Sequence, residues 1–193
     1  MWVRSSAIRP VSAFARVPAH ALDAVRDGLS EDDDEARSQL DEAFEHFERA
    51  QPDLASYVAD SLSRPLDDVA LALGYFLVLT VWLAFEHVHR GHIDRVSEEQ
   101  LRATQQLVEL DEEIRRADPA EALDTEDVVA MEQPHLLAFV HEHVEATLEA
   151  RVQETDVDDV HQVYRLVLVE VLALSYAVER PAGYPVGKTE LLA

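Results

Sequence analysis

The stretch VALALGYFLVLTVWLAF, residues 69–85, is apolar at nearly every position and decides how the rest of the chain is arranged. A helix that is apolar on all sides lies inside a protein core or a membrane. Its length is at the lower limit for a membrane span. We interpret it as a central helix that other helices surround. A face that its neighbours leave uncovered would become an interface.

A second apolar stretch supports the interpretation as a protein core. VDDVHQVYRLVLVEVLALSYA at residues 157–177 resembles LDDVALALGYFLVLTVWLAFE at residues 66–86, but carries Arg165 and Glu170 in its interior. Charges inside a bilayer are costly, so we do not expect a membrane span. In a core helix, each of these two charges would pair with another helix or lie on an exposed stripe. A buried Glu170 would need a partner, such as a histidine of the preceding helix, and would be a candidate site residue.

The remaining segments carry helix signals and no strand signals. Only five of the 193 residues are glycine, and no segment alternates polar and apolar residues over a useful length. Ser97 with Gln100, and Thr155 with Asp158, have the spacing of residues that cap helix N-termini. The sequence therefore predicts an all-α helical bundle.

Two similar pieces, QPDLASYV at residues 51–58 and QPHLLAFV at residues 133–140, indicate an internal repeat. Each lies in a long helical pattern that a strongly apolar helix follows, which predicts two duplicated helical hairpins joined by a crossover helix. We expect a basic N-terminal arm and short helix at 1–29, one bundle domain at 30–180 and a tail at 181–193. The first repeat would cover about 30–91, the crossover helix about 97–117 and the second repeat about 125–180.

The prolines of the repeat must interrupt helical hydrogen bonding, because proline lacks a backbone N–H. Gln51-Pro52 and Gln133-Pro134 could mark kinks in continuous helices, or breaks at which proline begins a new helix. Apolar residues continue in register across Pro52, which favours a kink. We interpret the four residues as structural, with a ligand pocket at the bend as the alternative.

The charge limits the partners of the protein. The formal net charge is −23, and phosphate backbones and anionic headgroups are repelled by such a body. We expect no nucleic-acid partner and no membrane contact. The chain has no cysteine, which fits a reducing, cytoplasmic compartment.

The first 22 residues differ from the remainder, because they contain three arginines and no acid. We interpret them as an arm that lies on the acidic body, with Trp2, Ile8, Val11 and Phe14 as its apolar contacts. A cleaved targeting segment is the alternative.

One spacing indicates a metal site. Glu86 and His89 form a Glu-x-x-His pair, which places both side chains on one helix face, and Glu45 could approach them across the hairpin. The order of hairpin, crossover and hairpin resembles the ferritin-like architecture, whose core holds carboxylates and two such pairs. This resemblance implies a di-iron, di-manganese or zinc site in an oxidase or metal store. The last helix departs from the pattern, since it lacks a Glu-x-x-His pair.

The sequence shows no phosphate-binding glycine loop, nucleophile elbow or H-E-x-x-H motif. We therefore expect a non-catalytic interaction or oligomerisation protein that acts through apolar helix faces and an acidic surface, with a protein partner or a second copy as its target. Metal binding is the first alternative. Small-molecule binding between the hairpins, in a pocket lined by Trp82 or Tyr75, is the second.

Overall fold

The computed structural model describes residues 6–28, 33–117, 125–150 and 156–184 of the chain. Within these ranges the protein is an all-α bundle of eight α-helices, and no strand is present in them. The helices are α1 (Ala19–Gly28), α2 (Asp33–Ala50), α3 (Pro52–Leu62), α4 (Asp68–His89), α5 (Glu98–Ala117), α6 (Thr125–Glu132), α7 (Pro134–Ala150) and α8 (Val157–Ala177).

Helices α4 and α8, which contain the two apolar stretches, form the centre of the bundle and run in the same direction. At their N-terminal ends, the Asp67 N–H donates to Asp159 Oδ2, and the Asp156 N–H donates to Asp67 Oδ2, both at 2.8 Å. Past their C-terminal ends, Ile93 and Val178 form an isolated antiparallel bridge. Helices α1 and α2 pack on α4. Helices α5 and α6 pack on α8, and α3 and α7 each contact both α4 and α8.

Each long helix predicted around a Gln-Pro pair is in fact two helices. Helix α2 ends at Ala50 and α3 begins at Pro52, with Gln51 between them at φ −133° and ψ 63°. Likewise, α6 ends at Glu132 and α7 begins at Pro134. The expected kink in a continuous helix is therefore wrong, and the alternative of a break with proline in the first turn is correct. The apolar residues keep their three- and four-residue spacing across the break because only one residue, Gln51, is not helical.

The predicted N-terminal caps are partly confirmed. Ser97 and Gln100 cap α5 reciprocally, since the Ser97 N–H donates to Gln100 Oε1 at 2.9 Å and the Gln100 N–H donates to Ser97 Oγ at 3.3 Å. The cap of α8 is Asp156, whose carboxylate accepts from the Asp158 N–H at 2.9 Å. Thr155, which we expected to cap α8, lies outside the described residues.

The described part of the N-terminal arm contributes to the core. Ile8, Val11, Ala15 and Val17 are buried, and Phe14 is half-buried against Tyr184 of the tail. The Asp111 carboxylate on α5 accepts from the Ser6 hydroxyl at 2.6 Å and from the Ala7 N–H at 2.8 Å. Trp2, the other expected contact, and the tail beyond residue 184 lie outside the described ranges.

Two described helices, α4 and α8, are long and apolar enough to cross a membrane by length and composition, with mean hydropathies of 2.0 and 1.2 in their most apolar windows. Most residues of both windows are buried inside the bundle, at 61% and 72%. The core helices of a soluble protein pass the same test, so this result is weak evidence for a span.

Candidate functional site

The two glutamines of the Gln-Pro pairs are buried and bind backbone. Gln51 is 1% exposed, and its side-chain amide donates to the Asp94 carbonyl at 3.0 Å and accepts from the Val96 N–H at 2.8 Å. An extended segment passing a helix break needs such partners, because buried peptide groups are rarely left unpaired. Gln51 therefore holds the segment that leads into α5.

Gln133 does the same for the segment that leads into α1. Its amide donates to the Ala15 carbonyl at 2.9 Å and accepts from the Val17 N–H at 3.0 Å. It also donates to the Ser175 hydroxyl of α8 at 2.8 Å. The geometry agrees with the structural interpretation of both pairs, while the duplication that could have produced them stays a prediction.

The three residues of the predicted metal site lie in different environments. Glu45 is exposed on α2. Glu86 pairs with Arg90 at 3.5 Å and lines a groove between α1, α2 and α4, where Glu42 rather than Glu45 lies across from it. His89 is buried beside the arm, and burial lowers its pKa despite a hydrogen bond to the Ala15 backbone. Among the described residues, no group of three or more metal-ligating side chains could hold an ion.

The two interior charges of α8 also have different environments. Arg165 is about half exposed and pairs with Glu109 and Glu112 of α5 at 3.6 and 3.3 Å. Glu170 is 0% exposed, and neither of its carboxyl oxygens has a hydrogen-bond partner in the described part of the protein. Burial raises the pKa of Glu170 well above its ordinary value, because a low-dielectric surrounding disfavours the charged carboxylate.

The histidines that we considered as partners of Glu170 bind elsewhere. The His141 ring shares a hydrogen bond of 2.7 Å with the Tyr164 hydroxyl, and His143 bonds the Phe139 carbonyl at 2.9 Å. The His143 ring also packs on Phe139 and Phe76, with centroids 4.1 and 5.1 Å apart. His143 therefore joins α7 to α4, and His141 joins α7 to α8.

An apolar groove of about 750 Å³ lies between α2, α3 and α4 and is open to solvent. We call it the α4 groove. Helix α4 contributes the outward stripe of its first two turns, α2 contributes one wall, and α3 contributes the floor. The apolar lining residues are Leu40, Phe44, Val58, Leu62, Leu71, Ala72, Tyr75 and Phe76.

A glycine helps to place this stripe on the outer side of α4. A Cβ atom on Gly74 would lie 2.8 Å from Leu62 Cδ2 and 3.2 Å from both Val163 methyl groups, so Gly74 lets α3 and α8 approach closely. Each helical residue turns by about 100°. Ala72, Tyr75 and Phe76 consequently lie 100° or more around the helix from Gly74, at about 160°, 100° and 160°. Leu71 borders the packed side and is still 38% exposed.

The rim of the α4 groove is acidic. Asp41 and Asp68 line it together with one cation, Arg37. Burial raises the pKa of the Tyr75 hydroxyl, and the negative charges of Asp41 and Glu48 raise it further. An apolar floor with an acidic rim can bind an apolar surface and select the charge around it.

Sequence reasoning identified Tyr75 as a lining residue but placed its pocket between the two hairpins. The groove instead lies within the first hairpin, and Trp82, the other expected residue, is buried against Phe47 with ring centroids 5.4 Å apart. An all-apolar helix gives no sequence signal for which of its faces stays uncovered. The face of α4 that stays uncovered is determined by how the neighbouring helices pack around it.

The chain matches no protein-family model, no curated protein and no solved structure at a significant level.

Proposed function

We propose that this is a non-catalytic interaction protein whose α4 groove takes up a helical segment of another protein. The observation that carries the proposal is the accessible stripe Leu71, Ala72, Tyr75 and Phe76 on a helix whose other faces are packed. Accessible apolar patches rimmed by polar residues are typical of interaction sites. An amphipathic helix binds such a groove through apolar residues spaced by three or four.

The shape of the groove favours a helix over a small molecule. Small-molecule sites enclose most of the ligand surface. The α4 groove is open to solvent and has helices for walls, with aromatic rings Phe44 and Tyr75 in contact at 5.2 Å between centroids. Aromatic anchors of this kind contribute most of the binding free energy at protein interfaces.

A second copy of the chain is the alternative occupant. Two bodies that each carry a net charge of −23 repel one another, which opposes self-association. We therefore favour a different protein as the partner. Sedimentation velocity at micromolar concentration should show a monomer, and a dimer that Leu71→Glu dissociates would instead assign the groove to self-association.

The groove is tested by selecting helical peptides from a phage-displayed library on the immobilised protein. We expect enriched peptides with apolar residues at positions i, i+3 or i+4, and i+7. Leu71→Glu should weaken their binding at least about tenfold, ~1.4 kcal/mol. The matched control is Leu110→Glu, which changes a leucine on α5 that is 48% exposed. No enrichment over a blank surface, or equal losses in both variants, would contradict the proposal.

A further inference from the structure

We propose that the occupant of the α4 groove is a basic amphipathic helix, with Lys or Arg beside its apolar face and at one end of it. This inference rests on the proposed function and specifies the partner. Its basis is the charge distribution over the helices that form the groove.

The groove helices are strongly acidic. Helices α2, α3 and α4 together contain eleven Asp and Glu residues and two Arg. Helix α7, which adjoins α4 beyond Phe76, adds three Glu and no Lys or Arg. Of these acids, Asp41 and Asp68 line the α4 groove itself, and the others add to the negative charge of the helices that form it.

The two acids that line the groove have different positions around a bound helix. Asp41 lies on α2, beside the apolar stripe, whereas Asp68 lies in the first turn of α4. Because Asp68 precedes Leu71 and Tyr75 by three and seven residues, it lies at the N-terminal end of the stripe. A partner helix with its apolar face on the stripe would meet Asp41 along one side and Asp68 at one end.

The same charges oppose other classes of partner. An acidic helix would add like charges at close range, which costs affinity. A single exposed ion pair changes an affinity by less than about fivefold, so the preference for a basic helix must come from several acids acting together. Acting together, these charges also accelerate the encounter with a basic partner, and added salt weakens this effect.

The experiment uses three side-chain-stapled peptides of about 14 residues, or four helical turns. They share one apolar face and differ only in their flanking residues, which are Lys and Arg, Gln and Ser, or Glu. Binding of each labelled peptide to the full chain is measured by fluorescence anisotropy at 50 and 300 mM salt. We expect the basic peptide to bind at least about tenfold more tightly than the neutral one at low salt. We expect no detectable binding of the acidic peptide.

Two variants separate the groove from general electrostatic attraction. Leu71→Glu adds a negative charge, so an association driven by charge alone would tighten, whereas docking in the groove should weaken at least tenfold. The double variant D41N/D68N should lower the preference for the basic over the neutral peptide by at least about threefold, while the remaining acids of the groove helices keep the basic peptide the tighter binder. Its control, D27N/E113Q, removes two exposed acids on α1 and α5 and should leave the preference intact.

The outcomes distinguish this inference from the proposed function. Equal binding of the basic and neutral peptides, both lost in Leu71→Glu, would overturn the basic-helix inference and leave the groove as an interaction site. Failure of all three peptides to bind would count against both the basic-helix inference and the proposed function. Tighter binding of the basic peptide to Leu71→Glu would show attraction without docking and would also overturn the inference. Thermal melting of each variant checks that it folds.

Discussion

Gln51 and Gln133 make the same pair of hydrogen bonds with segments that are distant in sequence. Each side-chain amide donates to a carbonyl and accepts from the N–H two residues later, at Asp94 and Val96 or at Ala15 and Val17. The two segments lead into α5 and α1. Each glutamine can reach its segment because it stands at a one-residue break between helices.

Truncating either glutamine should destabilise the fold. Gln51→Ala leaves the buried Val96 N–H unpaired and removes the donor to the Asp94 carbonyl, and Gln133→Ala leaves the buried Val17 N–H unpaired. Each change should lower the free energy of unfolding by about 1–3 kcal/mol. Gln133→Ala should cost more, because Gln133 also bonds the buried Ser175. Urea denaturation measures both. Gln106→Ala, on the exposed face of α5, is the control and should change the free energy by less than about 0.5 kcal/mol.

Removing the proline should not join α2 and α3. Gln51 already accepts and donates main-chain hydrogen bonds across the break, since its N–H bonds the Phe47 carbonyl at 2.7 Å and its carbonyl bonds the Ala55 N–H at 2.8 Å. Its side-chain contacts hold it out of helical geometry. We therefore expect Pro52→Ala to lower stability by about 0.4–1 kcal/mol through the more flexible unfolded chain. Circular dichroism should show unchanged helix content, whereas higher helicity with higher stability would mean that the proline causes the break.

Glu170 should make the stability depend on pH in a defined direction. Burial raises its pKa in the folded state above the unfolded value of about 4.5, so the folded protein holds this proton more tightly. The stability that comes from this tighter proton binding is fully present below pH 4.5. It is lost as the pH rises toward the pKa of the folded state. Between pH 5 and 8, wild-type stability should therefore fall relative to that of Glu170→Gln.

Replacement of Glu170 by leucine tests the energetic cost of this acid. Glu170→Leu removes two unpaired buried oxygens and should raise the free energy of unfolding at pH 7 by about 1–3 kcal/mol. Urea denaturation at several pH values measures both variants. A loss of stability in Glu170→Leu would show that the carboxyl has a partner that stabilises the fold.

The N-terminal arm should loosen when its anchor is removed. Asp111 is 2% exposed and accepts hydrogen bonds from the backbone and side chain at the start of the arm. In Asp111→Ala, amide hydrogen exchange of residues 7–11 should accelerate more than exchange in the centres of α4 and α8. Glu113→Ala, an exposed neighbour on α5, is the control. If exchange in the arm is unchanged in Asp111→Ala, buried side chains alone hold the arm and the prediction is wrong.

The sequence by itself determined the fold class and the identity of the central helices. Long runs of apolar residues are local in the chain, so residues 69–85 and 157–177 could be recognised as core helices without a structure. The reciprocal cap formed by Ser97 and Gln100 was also predictable, because a helix start depends on residues that are close in sequence.

Only the tertiary structure decided what the Gln-Pro pairs and the charged residues do. The partners of Gln51, Gln133 and Asp111 lie more than forty positions away in sequence, and a pattern cannot specify such contacts. Glu170 and Arg165 sit in the same apolar helix, yet only the packing of α8 buries one and exposes the other. The α4 groove likewise arises because neighbouring helices leave one face of an apolar helix uncovered, and that face looks no different in the sequence from the faces they cover.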